Sequence, residues 1–128
     1  MSKKLTDTLV GGVYQYCRTD NNEVVYRGST EHIEDKWGVP LQKVDDWHRK
    51  GENFKTKFRY SWTVFRTNLR RPIGKLLEIG WVVEPKEMTR EELLTLEGEL
   101  IQAGIEMCQC YLNHDPDPLK TWKKFNDN

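Results

Sequence analysis

The sequence predicts an α/β domain with a small central three-stranded sheet flanked by helices, and three observations carry that prediction. Two runs of strand-forming residues flank a strong turn signal near the N-terminus. A third such run stands well downstream, at residues 74–83. Between and after these runs, apolar residues recur at helical spacing beside recognisable helix starts and stops. The chain has 128 residues, enough for one modest domain and too few for two, and no internal repeat divides it.

The elements follow in order. Residues 11–18 (GGVYQYCR) alternate like a strand, Thr19-Asp20-Asn21-Asn22 is a turn, and residues 23–28 (EVVYRG) form a second strand, giving a β-hairpin. Ser29 or Thr30 is placed to cap a short helix carrying Ile33 and Trp37, which Gly38 and Pro40 interrupt. A helix over residues 40–50 sets Leu41, Val44 and Trp47 on one side, and Gly51 ends it. Trp62, Phe65 and Leu69 fit a further helix, stopped by Pro72 before the third strand. Thr89-Arg90-Glu91-Glu92 matches the capping box, in which Thr89 caps a backbone N–H and Glu92 reaches back, opening a helix that runs to about residue 107 or 110. Residues 113–118 are loop, and Trp122 and Phe125 are candidates to dock the C-terminal tail.

Composition narrows the class. No run approaches the length of a membrane span, and no apolar stretch follows the lysines of the first seven residues as a secretory signal needs. The three cysteines have no disulfide-framework spacing, so the expected setting is cytoplasmic. Cys108, Cys110 and His114 lack a zinc finger's spacing and a fourth ligand. The formal net charge of zero hides a segregation: residues 43–75 carry a balance of +7 and residues 76–118 one of −8. Such an asymmetry suits one face to a polyanion, although two ordinary solvated surfaces of opposite sign give the same pattern.

Two sets of residues stand out. Glu97 falls near the middle of the apolar arc of its helix, with Leu93 and Leu100 to one side and Leu94 and Ile101 to the other. A carboxylate there is costly unless paired, hydrogen-bonded or metal-bound, or unless it reaches water at the edge of a shallow core. On the hairpin, Tyr14 and Tyr16 share a strand face. Tyr26 joins them if residue numbers across the hairpin pair to an even sum, as with Thr19 opposite Glu23, and lies on the other face if Asn21-Asn22 forms a two-residue loop. Cross-strand packing is the ordinary use of such tyrosines.

Gly12-Val13-Tyr14 followed by Val25-Tyr26-Arg27-Gly28-Ser29-Thr30 resembles the opening signature of the GIY-YIG nuclease superfamily. Leu96-Glu97-Gly98-Glu99-Leu100-Ile101 resembles its metal-binding glutamate segment, and Tyr111-Leu112-Asn113 its asparagine. The resemblance spans roughly residues 11–114. It implies a single-domain enzyme, with a core over 11–114 and a tail over 115–128, that hydrolyses DNA phosphodiesters using one Mg²⁺ or Mn²⁺ held by Glu97. It further implies that Tyr14 activates the attacking water, Tyr26 positions water or phosphate, and Asn113 orients the site by hydrogen bonding. The first-helix arginine of the superfamily is replaced by Lys36, which keeps a point charge and loses the bidentate fork. Arg27 and Arg49 are possible substitutes, Arg27 only if it shares a face with Tyr26. Lys50, Lys55, Lys57, Arg59, Arg66, Arg70 and Arg71 are candidate phosphate contacts. Small stand-alone domains of this type resemble those of bacteriophages and mobile elements, so host cytoplasm and a possible homodimer are expected. The alternative is a catalytically weakened module that binds nucleic acid or blocks another protein.

Overall fold

Thr8, Leu9 and Val10, themselves strand-formers, carry the first run further toward the N-terminus than expected, while its other end stays at the turn. In the computed structural model, which describes residues 3–32, 40–50, 77–107, 109, 110, 113 and 115–126, the first strand β1 is Thr8–Arg18. It turns through Thr19–Asn22 into β2, Val24–His32. Asn22 sits at φ 59°, a left-handed turn position that asparagine tolerates, and its N–H donates to Arg18 O at 2.9 Å. Helix α1 is Leu41–Lys50, strand β3 is Leu77–Thr89, α2 is Arg90–Glu106 and α3 is Pro118–Asn126.

The three strands form an antiparallel sheet in the order β2-β1-β3. The expected α/β class, three-stranded sheet and flanking helices are all present. Tyr16 pairs with Tyr26, Tyr14 with Gly28 and Gly12 with Thr30, the even-sum register, and it shifts only between Tyr16 and Cys17. Tyr14, Tyr16 and Tyr26 therefore share one face.

One expectation is corrected here. Ser29 and Thr30 do not cap a helix; they continue β2, opposite Val13 and Gly12. The strand runs on because β1 itself begins at Thr8 and offers pairing partners as far as His32. The short helix with Ile33 and Trp37, and the helix around Trp62, Phe65 and Leu69, lie outside the described residues. The tail is more regular than expected: α3 buries Trp122 against the body.

Each face of the sheet has its own cluster. On one, Tyr14, Tyr16 and Val25 meet Leu77 and Val44 of α1, and the Tyr16 hydroxyl donates to Asp45 Oδ1 at 2.7 Å. On the other, Leu9, Val13 and Met88 pack with Leu93 of α2. Fully burying side chains such as Leu9, Val13 and Leu93 stabilises the fold by about 1.5–3 kcal/mol apiece. Gly11 lets α2 approach, since a Cβ there would stand 2.8 Å from a Leu93 methyl.

The start of α2 is the most heavily tied point in the fold. Thr89 accepts from Glu92 N at 3.2 Å, as the capping box requires. The next residue, Arg90, is fully buried and pairs with Asp7 at 2.9 Å and with Glu31 at 3.1 Å, while also donating to Lys4 O. Burial alone would lower the guanidinium's pKa, but the hydrogen bonds it donates to Glu31 and Asp7, with the charges of both, outweigh it and raise the pKa. One side chain thus ties the N-terminal segment, the far end of β2 and α2 together.

Candidate active site

The candidate site is built at the outer edge of β2, where a phenol from one face of the sheet and a carboxylate from the other converge. Gly28 makes this possible. Tyr14 stands opposite Gly28 and its ring lies across it, so that a Cβ on Gly28 would be 2.5 Å from Tyr14 Oη. Any side chain there would keep the phenol from the edge. Tyr26, two residues earlier on the same face, stacks near it with ring centroids 6.3 Å apart, and Tyr14 donates a hydrogen bond to the Tyr26 hydroxyl.

Glu97 arrives from α2. Ser29, next to Gly28 and on the α2 face, donates its hydroxyl to Glu97 Oε1 at 2.5 Å. The carboxylate lies close enough to both phenols for its charge to act on them. Burial pushes Glu97 up to about 7; the Ser29 hydrogen bond opposes this, while the charges of Asp115 and Glu31 add to it. Burial likewise holds Tyr14 well above an ordinary phenol, with Tyr26, Tyr16 and Glu97 contributing. Tyr26 is raised by burial and by Glu97. At neutral pH both phenols are un-ionised and can donate hydrogen bonds, whereas Glu97 is divided between its protonated and charged forms.

Asn113 is already engaged. Its amide accepts from Arg27 N at 3.0 Å and donates to Arg27 O at 2.8 Å, pairing with the β2 edge as another strand would. Gln109 and Cys110 do the same at Val24. The segment after α2 thereby fixes the edge that carries Tyr26 and Gly28.

The face assignment removes Arg27 from the candidates for holding the same phosphate as Tyr26. Arg27 pairs with Gln15 on the α2 face, where Nε donates to Gln15 Oε1 at 3.2 Å and Nη1 to Leu100 O at 2.6 Å. It latches the sheet to α2. Arg49 and Lys50 fall in the last turn of α1. Lys36, Lys55, Lys57, Arg59, Arg66, Arg70 and Arg71 lie outside the described residues.

Two members of this neighbourhood were not anticipated. The sequence places Ser29 at a helix start; continuing the even register one residue past Gly28 puts it instead in the strand, opposite Val13 on the α2 face. Asp115, whose charge raises both Tyr26 and Glu97, accepts from Thr121 Oγ1 at 2.9 Å and from Asp117 N at 3.1 Å. It sits in a loop, where no periodicity could single it out. Among the described residues no group of three or more His, Cys, Asp or Glu side chains converges as a metal cage would. Nor is any helix among them long and apolar enough to cross a membrane. No protein-family model, curated protein or solved structure matches the chain.

Proposed function

We propose that the protein is a metal-dependent endonuclease of GIY-YIG type that hydrolyses phosphodiester bonds in DNA. The observation that carries this reading is the convergence of Tyr14, Tyr26 and Glu97 at the Gly28–Ser29 edge. These are three of the residues to which the motif resemblance assigns chemistry, and they come from three elements.

The donor set suits a hard divalent cation, magnesium or manganese. Glu97 offers a carboxylate oxygen in a field made negative by Asp115 and Glu31, and an ion held through one carboxylate keeps most of its own water. Such an ion, when bound, supplies an acidified water and offsets phosphate charge. The remaining chemistry belongs to the chain. Ser29 holds one Glu97 oxygen and so fixes the carboxylate's direction. Tyr14, neutral and donating to Tyr26 in the free protein, becomes a proton acceptor only when positive charge is added beside it. Neutralising Glu97 removes one of the causes that raise both phenols. Lys36 is the proposed cation for the scissile phosphate, and the basic stretch 43–75 positions the strand without reading its sequence.

The test is cleavage of supercoiled plasmid and of single-stranded DNA with Mg²⁺, Mn²⁺ or EDTA, with Glu97→Ala beside the wild type. Metal-dependent cutting that the variant loses is the expected result. A folded variant that cuts as well as the wild type overturns it. A second reading, the catalytically weakened binding module, is favoured by one observation: Arg27, a candidate to replace the superfamily's arginine, is engaged with Gln15 and Leu100 O on the opposite face of the sheet. Salt-sensitive DNA binding without turnover in any metal selects that module instead.

A further inference from the structure

The face that carries Tyr14 and Tyr26 also carries a buried hydroxyl with no partner among the described residues. Thr30 is 7% exposed, and its Oγ1 makes no hydrogen bond. An orphaned buried hydroxyl is costly, and natural folds rarely keep one without a reason. The cost here was avoidable. Valine has the same shape, suits a strand at least as well and carries no polar atom to strand.

The register says what the hydroxyl faces. Thr30 is the next residue after Gly28 on the tyrosine face of β2, and its cross-strand partner is Gly12. Two of its neighbours on that face therefore have no side chain, and aromatic rings lean over both positions. Over Gly12 stand the Trp81 carbon Cζ3, which offers no hydrogen bond, and the main-chain carbonyl of Val83. Tyr14 lies over Gly28 with its hydroxyl leading. Of the side chains over these two glycines, the one that brings a polar atom is Tyr14, through Oη, the oxygen to which the nuclease reading gives the attacking water.

We propose that Thr30 Oγ1 is a second anchor of the attacking water: in the loaded site the water donates one hydrogen bond to Tyr14 Oη and the other to Thr30 Oγ1, leaving a lone pair free to face phosphorus. This rests on the nuclease reading and adds to it a residue to which the motif resemblance gives no role. It also accounts for the free protein's unpaired hydroxyl, because an interaction made only in the loaded complex contributes to turnover and not to resting stability.

The experiment compares Thr30→Val, Thr30→Ser and wild type by thermal melting and by steady-state plasmid cleavage with Mg²⁺. Thr30→Val should melt at the same temperature as wild type or higher, while kcat falls about 10- to 100-fold with KM little changed. Thr30→Ser, which keeps the hydroxyl, should stay within about threefold of wild type. A Thr30→Val protein that cuts at the wild-type rate overturns the proposal. So does one that folds but melts well below wild type, since the hydroxyl would then have a partner at rest. If Thr30→Val does not fold, the ratio of Thr30→Ser to Thr30→Ala rates isolates the hydroxyl, and equal rates overturn the proposal. A wild type that cuts no substrate removes the nuclease reading and this inference together. Equal cutting by Thr30→Val and wild type removes this inference alone.

Discussion

Gly28 shows how far one missing side chain can organise a site. It occupies an ordinary position in β2, yet its lack of a Cβ is what lets the Tyr14 ring lie across the strand, where the charge of a carboxylate from the far side of the sheet acts on it. Gly28→Ala forces either the ring or the strand to move, and overpacking of this kind costs about 1–3 kcal/mol. A lowered urea midpoint with an unchanged slope is the expected result; a change below about 0.5 kcal/mol means that the Tyr14 ring swings aside freely. At this scale the sequence was informative wherever a residue broke its local pattern. Glu97 declared itself as a carboxylate within an apolar arc, and the structure places it half-buried beside the fully buried Leu93 and Ile101 of the same helix. Arg27 could not be settled in advance, because the face it takes depends on a hairpin register that the turn left open. Ser29, Thr30 and Asp115 broke no pattern at all: hydroxyls are common in strands and acids in loops, so only the fold gives them neighbours.

Elements were legible in kind and less so in extent. Strand β3 was expected over residues 74–83 and instead continues to Thr89, straight through Pro85. Proline is compatible with that edge strand because its register against β1 shifts between Gly11 and Val13, the irregularity where a missing N–H does no harm. Helix α2 began where its capping signal said. The cap stands at the junction of β3 with a helix that holds both Glu97 and Arg90, so its strength bears on site and scaffold alike. Thr89→Ala removes the acceptor for Glu92 N and should destabilise the protein by about 1 kcal/mol, read from the denaturation midpoint. No loss would mean that Arg90, anchored by Asp7, Glu31 and Lys4 O, holds the helix start unaided. That anchoring was not legible in the sequence, where Arg90 is only the second letter of a capping box and its partners lie 83 and 59 residues away.

For the molecule as a whole, Glu97 makes stability and the proposed activity pull in opposite directions, and pH separates them. Its carboxyl titrates near 7 in the folded chain against 4.5 for an unperturbed group, chiefly because burial disfavours the charge. Between those values the folded state binds more protons than the unfolded one, so stability falls as pH rises through the window, by on the order of 3 kcal/mol for a shift of this size. Asp7 acts with the opposite sign. Its backbone bond to Lys4 and its pairing with Arg90 lower its pKa, so its contribution is present above about pH 4 and is lost as pH falls further. Glu97→Gln keeps an acceptor for Ser29 and removes the titration. The variant should match wild type near pH 4.5, exceed it at pH 8, and lose the downward slope between them in a series of urea melts. A slope that survives the substitution would assign the titration to another group. Magnesium adds the converse arm: at pH 8 a cation that binds folded Glu97 raises the wild-type midpoint and leaves Glu97→Gln where it was. If magnesium moves neither protein, the buried carboxylate is not a cation site, and the nuclease reading loses the ion on which its chemistry depends.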